Sequence, residues 1–212
     1  MEFERRYYTF TTSAEKRDDG TGHLTGHPIV YNSPTDIGGM FREVIMPGAL
    51  EGADLKDVPL LVNHNDRMIP VARSRRNNGN STMVLLPDAN GMAFDASLDI
   101  TRNATAAELY SAVERGDIDG MSFAFYVSRE NERWEGLETD YPTRYINKFN
   151  VIREISAVTF PAYNATDINA RSKDALESAR AALESERQRK ASSAVDTADI
   201  NLARLRAKIK TM

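Results

Sequence analysis

Gly116-Asp117-Ile118-Asp119-Gly120-Met121-Ser122-Phe123-Ala124-Phe125-Tyr126-Val127 joins the end of a helical run to a strand through a tight glycine turn. Met121, Phe123, Phe125 and Val127 alternate with Ser122, Ala124 and Tyr126, the two-residue period of a half-buried strand. The small side chains of Ser122 and Ala124 leave room for another group to approach the backbone. A serine at a strand start is usually structural, so the stretch gains meaning only beside the rest of the chain.

On its N-terminal side, Thr101 to Arg115 changes period. Ala104, Ala107, Tyr110 or Ser111, and Glu114 recur at three and four residues, which predicts a helix. Thr105-x-x-Glu108 makes a capping box if that helix starts late, and Arg115-Gly116 supplies a basic last turn and a glycine stop. Further upstream the chain reads as short strands divided by turn signals. These are Tyr7 to Thr12, His23 to Tyr31, Phe41 to Met46, Val58 to Val62, Ile69 to Arg73, Met83 to Leu86 and Met92 to Ile100. A charged mobile turn spans Glu15 to Gly20, and Ala49 to Ala53 is long enough for one helical turn. Arg75-Arg76-Asn77-Asn78-Gly79-Asn80 carries hairpin-turn chemistry, because Asn and Gly accept positive φ cheaply. Downstream, Ser128 to Asn147 reads as a polar excursion around Trp134, and Phe149 to Phe160 as the last strand.

Many short strands with one good helix predict a mainly β body, α+β in class. The expected architecture is a closed or curled β-barrel with helices packed outside. The body is placed at residues 1–170. Residues 171–212 shift to Ala, Glu, Arg and Leu and read as a charged helical tail. Its two thin stripes are Leu176, Ala179 and Leu183, then Leu202, Leu205 and Ile209, neither wide enough to fold alone. The tail is expected to dock on a partner, pair with itself or stay solvated.

Composition narrows the function classes. At 212 residues and 41% hydrophobic content the chain can bury a real core. A mean hydropathy of −0.48, with no long apolar run, argues against a membrane protein. The opening Met1-Glu2-Phe3-Glu4-Arg5-Arg6 lacks the apolar stretch of a secretory signal. A net charge of −4 speaks against a dedicated nucleic-acid binder. With no cysteine there is neither a disulfide framework nor a thiolate ligand, which fits the cytoplasm. No cofactor or metal is expected.

Histidine is scarce: His23, His27 and His64. The first two are four apart, but Gly22, Gly26 and Pro28 disfavour the helix a paired metal site needs. His64 follows the apolar Val58 to Val62 run. A strand end would fix its position while the loop leaves the ring accessible, as a general base requires. A serine nucleophile needs such a base, and the base needs a group that holds its tautomer. Asp66, Asp95, Asp99 and Glu154 are the acidic candidates. In Val151-Ile152-Arg153-Glu154-Ile155-Ser156-Ala157-Val158, Glu154 shares a face with Ile152, Ser156 and Val158. A carboxylate on an apolar face needs a partner, and an internal salt bridge is the plain alternative to a catalytic role.

Four segments together carry a resemblance. Pro47-Gly48-Ala49-Leu50, Leu60-Leu61-Val62-Asn63-His64-Asn65, Asp119-Gly120-Met121-Ser122-Phe123-Ala124-Phe125 and Arg153-Glu154-Ile155-Ser156-Ala157-Val158-Thr159-Phe160-Pro161-Ala162 occur in that order. Over residues 20–170 the chain resembles the prohead (capsid maturation) serine proteases of tailed bacteriophages. The family is held to share the β-barrel of the herpesvirus capsid-assembly proteases. The resemblance implies Ser122 as nucleophile and His64 as its base. The herpesvirus relatives use a later histidine as third member. No histidine follows Ser122 here, so Glu154 is the best replacement and Asp99 the runner-up. Ala124 stands where relatives often carry glycine, and Arg153 is a candidate oxyanion donor.

What the resemblance implies is a serine endopeptidase that cleaves the scaffold segment of the major capsid protein, and itself, inside the assembling procapsid in the bacterial host. A homodimer fits the same picture. The rival reading is an inactive assembly module that works through its helical tail.

Overall fold

The computed structural model describes residues 3–9, 13–16, 21–159 and 176–193. Thirteen strands occur among them: β1 (Glu4–Thr9), β2 (Ser13–Lys16), β3 (Gly22–Val30), β4 (Thr35–Ile37), β5 (Phe41–Ile45), β6 (Val58–Val62), β7 (Ala72–Ser74), β8 (Met83–Pro87), β9 (Gly91–Leu98), β10 (Gly120–Tyr126), β11 (Glu132–Glu135), β12 (Thr143–Ile146) and β13 (Val151–Val158). Helix α1 spans Ala104–Glu114, and helix α2 residues 176–193.

The strands form three sheets, ordered β1-β10-β13-β6-β7, β11-β12-β5-β4 and β2-β3-β9-β8. Most pairings are antiparallel, but β13 runs parallel to β6 and β12 parallel to β5. The expected closed barrel does not form. Each sheet ends in two edge strands, and no first strand pairs with a last one among the described residues, as closure requires. The herpesvirus-type barrel is overturned with it. Local period identifies a strand but not its partner, and both parallel pairings join segments distant along the chain.

Helix α1 starts at Asn103, whose side chain accepts the Ala106 N–H at 3.2 Å, so the cap is Asn103 and not the Thr105 box. Ala106, Leu109, Tyr110 and Val113 are buried at i, i+3, i+4 and i+7, and the Tyr110 ring lies so close to Gly22 that a Cβ there would sit 2.7 Å from it. Gly116 ends the helix at φ 76°. β10 then enters the core with six of its seven residues buried. It was expected to be half-buried, but β1 and β13 flank it and both of its faces are covered. On one face Phe123, Phe125 and Phe149 stack with ring centroids 5.1 to 5.9 Å apart, each pair adding roughly 1 kcal/mol beyond area burial.

The polar excursion at 128–147 contains β11 and β12. Most of its charges are exposed, but Glu132 and Arg144 are not. Arg6 and Arg144, each 1% exposed, join Glu43, Glu4 and Glu132 in a buried cluster. Arg6 donates to Glu43 at 2.6 and 2.8 Å and to Glu4 at 2.6 Å. Arg144 donates to both Glu4 oxygens at 2.5 and 2.7 Å and to Glu43 at 3.0 Å. This ties β1 to the sheet of β5 and β12. Burial alone would raise the Glu4 carboxyl, but the charges of Arg144 and Arg6 outweigh it and hold it at about 2. At Glu132 burial prevails over Arg144 and the carboxyl is pushed up.

In α2, Ala179 and Leu183 pack with Ile37 and Phe41, next to Trp134 and Leu137. Arg187 donates to the Thr139 carbonyl and Lys190 to Glu138. The Leu202–Leu205–Ile209 stripe, Phe160-Pro161-Ala162 and the 170/171 boundary lie outside the described residues. So do residues 17–20 of the expected mobile turn, whereas Glu15 and Lys16 belong to β2.

Candidate active site

Pairing sets which side chains share a face. In the β10–β13 ladder Ser122 is opposite Ser156, Ala124 opposite Glu154, and Phe125 opposite Ile152. One residue on β10 therefore faces two on β13, and Arg153 is the extra one, a β-bulge. The bulge corrects the reading that put Glu154 on a face with Ile152. Ile152 turns to the core with Phe123 and Phe125, while Glu154, Ser156 and Val158 share the opposite face with Ser122 and Ala124. Arg153 itself is exposed, its guanidinium 6.0 Å from the Phe3 ring centre.

β6 lies on the other side of β13, with Leu61 beside Ser156 and Val62 beside Ala157. The chain then makes two consecutive left-handed residues, Asn63 (φ 52°) and His64 (φ 56°). For non-glycine residues that conformation costs roughly 1–2 kcal/mol each. Hydrogen bonds to β13 hold it. Asn63 N–H donates to the Ala157 carbonyl at 2.8 Å, Thr159 N–H donates to Asn63 Oδ1 at 3.0 Å, and His64 N–H donates to Ser156 Oγ at 3.2 Å.

That turn folds the imidazole onto the sheet. His64 Nδ1 lies 2.5 Å from Glu154 Oε1, with side-chain exposures of 5% and 7%. An ionised carboxylate only accepts, so Nδ1 carries the proton and the acceptor of the neutral ring is Nε2. The ring was expected to be accessible. It is buried, because the left-handed turn tucks it in. The second Glu154 oxygen accepts the Ser156 hydroxyl at 2.6 Å. Ser122 is wholly buried and its hydroxyl donates to the Arg6 carbonyl on β1 at 2.7 Å.

Asp99 sits in the exposed turn before α1. It accepts Arg102 Nε at 2.8 Å and the Thr101 hydroxyl at 3.0 Å, and the bond from Arg102 holds its carboxyl below the usual range. Asp95 pairs with His23 Nδ1 at 2.9 Å, and His27 lies 3.9 Å from Asp88. Asp66 N–H donates to the His64 carbonyl at 3.0 Å. Sequence reasoning missed Ser156, although its signal is present: a hydroxyl two residues beyond Glu154, hence on the same strand face. No group of three or more metal-ligating side chains occurs among the described residues. Nor is any helix there long and apolar enough to cross a membrane.

The profile of the caudovirus prohead serine proteases matches residues 9–180. The chain is 30% identical over 168 residues to the prohead protease of Enterobacteria phage HK97. That alignment covers 77% of this chain and 66% of the phage protein, just under two thirds of its length. No solved structure is a significant match.

Proposed function

Because the chain belongs to the caudovirus prohead serine protease family, we propose that it is a capsid-maturation endopeptidase working by acyl transfer through Ser122, His64 and Glu154. One observation carries this reading: the short His64–Glu154 contact on the sheet face that Ser122 shares. The Ser122 hydroxyl turns from the Arg6 carbonyl toward His64 and attacks the carbonyl carbon of the scissile peptide. Its proton passes to Nε2, and the imidazolium is stabilised by Glu154. That proton then goes to the leaving amine, and water releases the acyl group by the reverse sequence. The geometry at Asp99 favours a turn-capping role instead.

The substrates we assign are the scaffold segment of the major capsid protein and the protease itself, cut inside the procapsid. One observation favours the inactive assembly module: Ser122 is buried with its proton given to a backbone carbonyl. Co-expression with the cognate capsid protein separates the two. The native chain should shorten the capsid protein, and Ser122→Ala should leave it at full mass. Full mass in both cases, with shells still assembling, would establish the module reading.

A further inference from the structure

We propose that Ser156 is a positioning residue of the site, one that locks His64 and Glu154 into a single rigid unit. The proposal rests on the serine-protease reading above. Ser156 is completely buried, and its hydroxyl makes two bonds to that pair. It donates to Glu154 Oε2 at 2.6 Å and accepts the His64 backbone N–H at 3.2 Å. With Glu154 Oε1 on His64 Nδ1 at 2.5 Å, the contacts close a ring running from the His64 backbone through Ser156 and Glu154 to the His64 imidazole.

Each bond removes a specific freedom. A glutamate side chain has three torsions, and one contact at Oε1 leaves the carboxylate free to swing about it. A second donor on Oε2 fixes its plane. The N–H of His64 belongs to a left-handed residue, which persists only where its surroundings over-determine it. Register puts Ser156 at the crossing point, opposite Ser122 on β10 and beside Leu61 on β6. A buried serine can be satisfied by giving its proton to a backbone carbonyl. Here the proton goes to the carboxylate that orients the base.

The test uses the full chain with Ser156→Ala and Ser156→Thr. The first readout is the low-field proton signal of His64 Nδ1–H, assigned by its loss in His64→Gln. It should move upfield or vanish into exchange in Ser156→Ala and persist in Ser156→Thr. The second is inactivation by a fluorophosphonate, which Ser122 attacks with loss of fluoride. The limiting rate should fall about 10- to 100-fold in Ser156→Ala, the loss expected when a reacting group is misplaced by a fraction of an ångström to an ångström. The half-saturating probe concentration should not change, and threonine should restore the rate. If Ser156→Ala does not fold, Ser156→Cys, of similar volume but a weak donor, carries the same expectation. An unmoved proton signal and an unchanged rate in the alanine or cysteine variant would overturn the proposal. Failure of the native chain to react at Ser122 would instead remove the protease reading, while the proton signal still decides the role of Ser156.

Discussion

Replacing Arg144 by methionine tests whether the buried charge cluster holds β1 in place. Arg144 is 1% exposed and contacts Glu4, Glu43 and Glu132. Methionine keeps most of the volume but leaves Glu4 and Glu43 with Arg6 alone and takes the guanidinium away from Glu132. Removing one partner from a buried ion cluster costs about 3–5 kcal/mol, on the order of 10 °C in Tm for a chain of this length. The pH dependence makes the prediction specific. The folded Glu4 carboxyl titrates at about 2 against an ordinary 4.5, so its contribution is complete above pH 4.5 and is lost as the pH falls toward 2. At roughly 1.4 kcal/mol per unit the full contribution is about 3 kcal/mol, of which about 2 is gone at pH 3. Glu132, pushed up by burial, acts in the opposite direction and softens that loss. Without Arg144 only Arg6 opposes the burial of Glu4, most of that contribution goes, and the gap between native and variant should narrow by up to roughly 2 kcal/mol between pH 7 and pH 3. Urea titrations at the two pH values measure it. A variant within 1 kcal/mol of native at pH 7, or a gap independent of pH, would refute the reasoning.

Glu154→Gln should lower the rate of capsid-protein cleavage by about 10²- to 10⁴-fold, whereas Asp99→Asn should leave it within about twofold, since Asp99 serves an exposed turn. Parallel time courses by gel decide between them. Gly91→Ala should destabilise the fold by roughly 3 kcal/mol, because Gly91 has φ 148° and its Cβ would lie 2.0 Å from the Ile29 carbonyl oxygen; thermal denaturation checks this. Leu183→Ala should cost about 2–3 kcal/mol by opening a cavity against Ile37 and Phe41, and limited proteolysis should then cut within 176–193 first.

Local chemistry in the sequence determined the elements themselves. The alternation at 121–127, the period of α1, its glycine stop and the asparagine-rich turn at 75–80 are all written in neighbouring residues. Rarity and position singled out His64 and strand pattern Glu154, whereas Ser122 entered as nucleophile through the resemblance to the family. Tertiary structure alone decided which strand lies beside which, and hence that three open sheets form where a barrel was expected. It also decided that Arg144, in a stretch that read only as a polar excursion, is buried against Glu4, Glu43 and Glu132. The bulge at Arg153, which separates Glu154 from Ile152, and the left-handed turn that lays His64 on β13 belong here too. Period and turn propensity are short-range, whereas register and burial depend on contacts between residues tens of positions apart. Ser156 was visible as a residue from the start, but its bond to the His64 backbone exists only once β6 and β13 are side by side.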